Sequence, residues 1–207
     1  MLSVTSPPPA VDDDAMTVRI LDAAYDRMLQ FGLRRTTVED VARQAGVARI
    51  TIYRRFPNRE ELVRAVVLRE AARIFGQVDA AVEGLESLED QLVEGFVVVL
   101  REVRTHPLVI RLLATEIDLL LPVVTVEGGP VVAVARQYLA GHLRRAQTAG
   151  RMRRSDPEAV AELLVRLTLS FLVTPDSCIP LDTDRQARAF ARRFLVPLSQ
   201  LSFPAER

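Results

Sequence analysis

The sequence predicts an all-α protein of about nine helices, in which a small N-terminal helical domain precedes a larger one. Three observations support this fold class. Apolar residues recur three or four positions apart along most of the chain, capping residues, glycines and prolines stand where the recurrence stops, and no run shows the sustained alternation of a half-buried strand. The β-branched run FVVVL at 96–100 has strand propensity but no evident pairing partner, so we expect it to be helical.

Two helices open the first domain. Apolar residues at helical spacing predict a helix over 16–31, which Gly32 ends. Thr37 is a good N-cap for a second helix over 38–45. Gly46 ends that helix, because glycine readily adopts the left-handed conformation of a C-terminal cap. The sequence thus predicts a short helix followed by a tight turn.

Two further helices complete the N-terminal pattern. Residues 49–55 are expected to form a short helix before Pro57. Asn58 and Glu61 have the spacing of an N-cap and its third helical residue, and they start a long helix that runs to about residue 82. The predicted order is therefore helix, short helix, glycine turn, short helix, long helix.

The remainder of the chain continues as helix. Breaks are expected at His106-Pro107, at GGP over 128–130 and at TPDSCIP over 174–180. They separate helices predicted over 88–104, 108–121, 130–150, 157–173 and 183–200. The chain divides into a disordered N-terminal arm over 1–15, a first domain over 16–62 and a second domain over 63–207.

Composition excludes several classes of protein. The 207 residues are 49% hydrophobic, which suffices for a sizeable core. The single cysteine, Cys178, cannot form an internal disulfide, no signal peptide is recognisable, and the apolar runs are shorter than the roughly 18 residues of a membrane span. We expect a cytoplasmic protein without membrane contact. No metal-ligand spacing, phosphate loop or nucleophile motif is present, so we expect neither cofactor, metal nor enzymatic activity.

The net charge of zero hides an uneven distribution. Residues 1–14 carry −3, residues 15–75 carry 12 arginines against 7 acids, or +5, and residues 76–207 carry 15 arginines against 17 acids, or −2. A basic excess on a small domain fits polyanion binding, although a merely solvated basic surface is an alternative.

The stretch TTVEDVARQAGVARITIYRRF at 36–56 has the helix-turn-helix arrangement of two short helices and a glycine turn. The second helix of such a motif enters the major groove of DNA, where guanine presents acceptors that arginine binds in bidentate fashion. The side chains expected outward or along the rim are Arg49, Ile50, Thr51, Tyr53, Arg54 and Arg55, and those expected inside are Ala42, Val47, Ile52 and Phe56. A helix surface that is rich in hydrogen-bond donors therefore predicts a partner surface that is rich in hydrogen-bond acceptors.

The same stretch resembles the DNA-binding domain of TetR-family transcriptional regulators. The matching features are TT before the second helix, ARQAGV at 42–47, TIYRRF at 51–56 and NREEL at 58–62, and the resemblance covers residues 16–64. It implies a sequence-specific regulator, with repression as the usual mode. Ala48 departs from the serine that is common in the family, so we expect the second helix of the motif to lack a side-chain N-cap.

The resemblance also assigns DNA contacts by position in the motif. Residues expected at phosphates are Thr37, Tyr53 and Arg59, those expected at base edges are Arg49, Ile50 and Thr51, and those expected at bases or backbone are Arg54 and Arg55. Arg59 stands where the family usually has lysine. Phosphate contacts set the register of the protein on DNA, and base contacts set the sequence preference.

The last two predicted helices carry more apolar surface than one neighbour can cover. The residues expected in a subunit interface are Leu164, Leu167, Phe171, Phe190, Phe194 and Leu198. Two apolar faces at the end of a chain favour a four-helix bundle made with a second copy, and burial within one monomer is the alternative. A two-fold dimer reads two half-sites, so we expect a homodimer on a palindromic, double-stranded DNA operator.

The middle helices combine apolar residues with a few polar ones. By the resemblance, the residues expected around an effector cavity are Phe75, Phe96, Leu100, Leu113, Glu116, Ile117, Leu120, Tyr138 and His142. Such a lining suits a small lipophilic effector that releases the protein from DNA, and ordinary core packing is the alternative for each apolar residue. A helical dimer that binds acidic proteins through its arginines remains a second hypothesis, and a redox role of Cys178 stays open.

Overall fold

The computed structural model describes residues 15–200, apart from the side chain of Val123. The predicted arm over 1–15 lies outside the described residues except for Ala15. The helices are α1 (Ala15–Phe31), α2 (Val38–Ala45), α3 (Arg49–Arg55), α4 (Arg59–Val82), α5 (Leu88–Thr105), α6 (Pro107–Thr115), α7 (Ile117–Val124), α8 (Gly129–Thr148), α9 (Pro157–Val173), α10 (Asp184–Phe190) and α11 (Val196–Ser199), with a π-helical turn Ala191–Leu195 joining the last two. The all-α class is confirmed, and residues 15–200 contain no strand.

The run FVVVL and the segment 108–121 had opposite outcomes. The run lies in α5 and is helical, as predicted. The single helix predicted over 108–121 is wrong, because two helices, α6 and α7, meet there at Glu116. This residue has φ −145° and ψ 41°, outside the helical region. No glycine or proline marks the break, and the side chain of Glu116 makes a contact that is described below.

The helices form two compact units, which divide within α4 between Arg73 and Ile74. Of the described residues, unit 1 contains 15–73 together with His106–Leu121. Its core is built by α1 to α4 with α6, and its buried apolar residues are Ile20, Leu21, Ala23, Ala24, Met28, Val38, Val41, Ala42, Ala45, Ile52, Phe56, Leu62, Ala65, Val66, Leu108 and Leu112. Residues 106–121 thus pack with the N-terminal helices despite their distance along the chain.

Unit 2 contains Ile74–Thr105 and, as far as the structure describes the chain, residues 122–200. In it α8 packs against α9, and α5 packs against α9 and α10. Pro197 has no N–H to donate to the carbonyl four residues earlier, and the helix widens into the π-turn just before it. Across residues 15–200, no helix combines the length and apolarity needed to cross a membrane.

Candidate nucleic-acid interface

The turn between α2 and α3 is built from local hydrogen bonds. The hydroxyl oxygen of Thr37 accepts a hydrogen bond from the amide of Asp40 at 3.1 Å, so Thr37 caps α2 as predicted. Gly46 has φ 65° and ψ 40°, and its amide bonds to the carbonyls of Ala42 and Arg43. The left-handed glycine ends α2 abruptly, and α3 begins three residues later.

One buried face anchors α3. Ile52 is fully buried and Phe56, which follows the helix, is 6% exposed. Both belong to the core of unit 1 together with Leu21 and Val41. Because these side chains fix the rotation of a helix of only seven residues, the opposite face must lie outward.

The outward face of α3 carries large side chains that are exposed. Ile50 is 59% exposed and Tyr53 is 45% exposed. Arg49 and Arg54 are also exposed, and Thr51 is half-buried. The apolar surface that these two side chains leave in water contributes little to the stability of the fold. Thymine methyl groups, base edges and phosphates are partners that such a face can bind.

The arginines of α3 differ in their partners within the protein. Arg49 pairs with Glu39 of α2, and both side chains remain more than half exposed, at 61% and 56%. Arg55 donates from Nε to the hydroxyl of Thr17 on α1 at 3.1 Å. Arg54 has no hydrogen bond or ion pair among residues 15–200. Arg54 is therefore the arginine of this helix that DNA can bind without displacing a protein partner.

The hydroxyl proton of Thr37 is already engaged. It is donated to the carboxylate of Asp40 at 2.7 Å. This hydrogen bond is the main cause that lowers the pKa of Asp40, and Arg27 and Arg43 lower it further. A threonine hydroxyl has one proton, so a phosphate that takes it must compete with an ionised carboxylate.

Arg59 is bound to the loop that precedes α2. Its Nε donates to the carbonyl of Thr36 at 3.0 Å, and its guanidinium also bonds to the carbonyl of Leu33. Arginine has five N–H donors, so others remain for a phosphate. Sequence reasoning did not single out Arg35, which is exposed and has no hydrogen bond or ion pair among the described residues. The sequence signal that could have identified Arg35 is a basic residue directly before the two threonines at 36–37.

The residues predicted around an effector cavity are divided between the two units. Unit 1 contains Leu113, Glu116, Ile117 and Leu120, and unit 2 contains Phe75, Phe96, Leu100, Tyr138 and His142. In unit 1, Leu113 and Ile117 are 45% and 48% exposed, whereas Glu116 is 7% exposed. Leu120 is half-buried against the core. In unit 2, Phe96 and Leu100 belong to the buried core.

The remaining unit 2 residues form an aromatic and polar cluster. The rings of Phe75 and Tyr138 stack with centroids 4.3 Å apart. The hydroxyl of Tyr138 donates to Asp79 at 2.7 Å, and Nε2 of His142 lies 3.2 Å from the same carboxylate. Burial lowers the pKa of His142 and, with the hydrogen bond to Asp79, raises the pKa of Tyr138. A cleft of about 560 Å³ beside them is lined by Asp79 and His142 and also by Arg145.

The predicted interface residues of unit 2 differ in exposure. Leu164 and Phe190 are 4% and 7% exposed in the single chain, so they have little surface left for a partner. Phe194 is 46% exposed. Leu167, Phe171 and Leu198 are half-buried against the same core.

The geometry of unit 1 defines a class of protein. A short helix with an outward face of arginine, isoleucine and tyrosine, positioned by a capped helix and a left-handed glycine, is a helix-turn-helix DNA-binding module. The family model "Bacterial regulatory proteins, tetR family" matches residues 20–66, and "Bacterial Tetracyclin repressor, C-terminal domain" matches residues 88–193. The second match alone covers more than half of the chain. The chain therefore belongs to the TetR family, and it is a DNA-binding transcriptional regulator.

Relatives extend this similarity over most of the chain. The HTH-type transcriptional regulator AlkX of Mycobacterium tuberculosis is 29% identical over 184 residues, which is 87% of this chain and 83% of that protein. The crystal structure of the TetR-family repressor AlkX from a Dietzia species, implicated in biodegradation of n-alkanes, has 27% identity and a TM-score of 0.68, with 88% of this chain and 94% of that chain covered. The repressor QsdR of R. erythropolis, at 19% identity and a TM-score of 0.67 over 94% of this chain and 100% of that chain, shares the fold.

Proposed function

We propose that this regulator is a repressor that binds a palindromic operator as a homodimer and leaves it when a small lipophilic effector binds. The outward face of α3 is the observation that carries the proposal. Ile50 and Tyr53 are 59% and 45% exposed there beside Arg49 and Arg54, while Ile52 anchors the opposite side. This face matches the chemistry of the major groove.

Selection from a random duplex pool tests the operator. The purified protein is incubated with the pool, bound sequences are recovered, and affinity for the selected duplex is titrated at several salt concentrations. We expect a palindrome and a steep decrease of affinity with salt, because arginine contacts release counterions from DNA. A pool without enrichment and a shallow salt dependence would instead support the helical protein-binding adaptor.

Two variants separate base contacts from phosphate contacts on α3. Arg49→Ala should weaken operator binding and relax the preference at one operator position, by about 1 to 3 kcal/mol. Tyr53→Phe removes a hydroxyl that we place at a phosphate, so it should weaken binding to all sequences alike. If Arg49→Ala preserved both affinity and preference, α3 would not read the base edges through this residue.

The homodimer is proposed on the remaining apolar surface of unit 2. Phe194 is 46% exposed, and Leu167, Phe171 and Leu198 are half-buried in the single chain. Phe194→Arg would place a charge in that surface. We expect the variant to sediment as a monomer while the wild type sediments as a dimer, and a wild-type monomer at micromolar concentration would contradict the proposal.

Two observations support a lipophilic effector: exposed apolar side chains in unit 1, and the n-alkane connection of a related repressor. Ile110, Leu113 and Ile117 of unit 1 are 51%, 45% and 48% exposed. The Dietzia relative is implicated in biodegradation of n-alkanes. An effector acts only through a difference in affinity between the DNA-bound and released states. Operator release measured by fluorescence anisotropy with hexadecane or hexadecanoic acid, and with a short dicarboxylate as control, tests this class.

A further inference from the structure

The junction of α6 and α7 holds the loop that precedes the helix-turn-helix motif. Oε2 of Glu116 accepts a hydrogen bond from the amide of Leu33 at 2.5 Å, and Oε1 accepts one from the amide of Arg34 at 3.0 Å. The side chain is buried, at 7% exposure for the residue. A buried carboxylate that spans two successive amides fixes both the position and the orientation of that backbone.

Gly32 permits the close approach of this carboxylate. Its φ of +85° is a conformation that side-chain-bearing residues rarely adopt. A Cβ atom added there would lie 2.7 Å from Oε2 of Glu116. The glycine and the glutamate, 84 positions apart, therefore form one contact.

The carbonyl groups of the same loop are bound from another direction. Arg59 of α4 donates to the carbonyls of Leu33 and Thr36. The hydroxyl of Thr36 donates to the carbonyl of Gly32 at 2.7 Å. The loop amides are thus held by a carboxylate and the carbonyls by a guanidinium and a hydroxyl. The next residue, Thr37, is the N-cap of α2.

We propose that Glu116 is a positioning residue for operator binding: it fixes the α1–α2 loop, and thereby Thr37 and the start of α2, in the geometry that DNA requires. This inference rests on the proposed function. It makes the α6–α7 junction a determinant of operator affinity. Leu113 and Ile117 are two of the three exposed apolar residues that support a lipophilic effector, and they lie three positions before and one position after Glu116. A shift of this junction therefore reaches the loop through Glu116.

Charge alone predicts the opposite effect. A carboxylate on a DNA-binding unit repels phosphates, so its neutralisation should strengthen binding to any DNA. Asp118 supplies a matched control: it lies at the same junction and reaches Arg34, but through side chains that are 58% and 60% exposed. Glu116→Gln and Asp118→Asn remove the same formal charge, and only the first disturbs the backbone of the loop.

The experiment compares these two variants with the wild type on the selected operator and on a random-sequence duplex of equal length. We expect Glu116→Gln to lose about tenfold in operator affinity and less on the random duplex, the size of one weakened charged hydrogen bond. Asp118→Asn should bind both duplexes as tightly as the wild type or more tightly. Titration at stoichiometric concentration gives the active fraction, so a loss of folded protein is not counted as a loss of affinity.

Hydrogen exchange of the free protein tests the contact without DNA. The amides of Leu33 and Arg34 should exchange faster in Glu116→Gln than in the wild type, and their exchange rates should be unchanged in Asp118→Asn. If Glu116→Gln does not fold, Glu116→Asp replaces it in the experiment. This variant keeps the charge but shortens the side chain, so the amides of Leu33 and Arg34 should again exchange faster than in the wild type. Operator binding by Glu116→Gln as tight as that of the wild type would overturn the proposal. Failure of the wild type to select an operator would overturn the proposed function instead. The hydrogen-exchange comparison would still show whether Glu116 holds the amides of Leu33 and Arg34.

Discussion

Two glycines in unit 1 both have a positive φ but differ in their surroundings. Gly46 and Gly32 have φ of +65° and +85°. A Cβ atom on Gly46 would meet only the terminal Nη2 of Arg19, at 3.3 Å, whereas one on Gly32 would lie 2.7 Å from the carboxylate of Glu116. The first glycine serves a turn made by its neighbours in sequence. The second serves a contact with a residue 84 positions away.

The comparison separates two ways of positioning the same motif. The α2–α3 turn is set by Thr37 and Gly46, so it follows from local chemistry. The α1–α2 loop is set by Glu116 and by Arg59, so it depends on α6, α7 and α4 being in place. A change in the second region can therefore alter DNA binding without changing any residue of the helix-turn-helix itself.

The largest expected effect is that of Gly32→Ala. The left-handed conformation costs alanine about 1 to 2 kcal/mol, and the clash with the Glu116 carboxylate adds about 1 to 3 kcal/mol, for a total of about 3 kcal/mol in the free energy of unfolding. Gly46→Ala should cost only about 1 to 2 kcal/mol, because a Cβ atom 3.3 Å from Nη2 of Arg19 needs a much smaller adjustment of its neighbour. Urea unfolding of both variants measures the difference.

A second background isolates the contribution of the carboxylate. In Glu116→Ala the clash is absent, so the additional cost of Gly32→Ala should fall to that of Gly46→Ala. Equal costs of the two glycine substitutions in the wild-type background would mean that the structure around Gly32 accommodates the added methyl group as easily as the structure around Gly46 does.

Arg59→Ala is expected to have the next largest effect. The guanidinium bonds to two loop carbonyls and its side chain is 37% exposed, so its loss should lower the free energy of unfolding by about 1 to 2 kcal/mol. If Arg59 also contacts a phosphate, the salt slope of operator binding should decrease by about 1. Arg64→Ala, which removes a more exposed arginine of α4, is the matched control. A changed slope with unchanged stability would assign Arg59 to DNA alone.

The sequence sufficed where structure follows from nearby residues. The bounds of α2 and α3, the cap at Thr37, the glycine turn and the cap Asn58, whose Oδ1 accepts the amide of Glu61 at 2.8 Å, could all be predicted, because each depends on residues within four positions. The outward face of α3 followed from Ile52 and the helical period in the same way.

The sequence did not suffice where the partner is distant. No glycine or proline marks the break at Glu116, and the side chain of this residue binds a loop, at 32–34, that is far away in the sequence. The family resemblance assigns Glu116 to an effector cavity, and that role stays a prediction. A polar residue in an apolar helix suggests a polar partner, but helical spacing alone does not identify which one.

Ala48→Ser tests the α2–α3 turn, the region whose structure follows from local chemistry. Ala48 has φ −73° and ψ 145°, suitable for an N-cap, and α3 has no side-chain cap hydrogen bond. A serine hydroxyl can accept an orphan amide of the first turn, so we expect a gain of about 1 kcal/mol in the free energy of unfolding. Ala72→Ser on the exposed side of α4 should give no gain, because no orphan amide is in reach there. A gain of equal size in both variants would reflect serine itself and not the cap.

Arg188→Ala tests a distant contact in unit 2 and has the smallest expected effect. Nε and Nη2 of Arg188 bond to the two carboxylate oxygens of Glu94 at 2.7 and 2.9 Å, which joins α10 to α5. The hydrogen bond from Arg188 holds the pKa of Glu94 below its ordinary value of 4.5. A carboxyl with a lowered folded-state pKa stabilises the fold above its unfolded pKa, and this contribution is lost as the pH falls through the folded pKa.

The pair is partly exposed, so its contribution at about pH 7 should be about 0.5 to 1 kcal/mol. The stability gap between wild type and Arg188→Ala should therefore be constant above about pH 5.5 and close as the pH falls below the ordinary pKa of Glu94. Urea unfolding across this range, repeated in a Glu94→Gln background, separates the ion pair from the packing of the arginine side chain. A gap that persists at about pH 3 and in the Glu94→Gln background would show that the methylene groups of Arg188 stabilise α10, and the charged contact between the helices would then contribute nothing measurable.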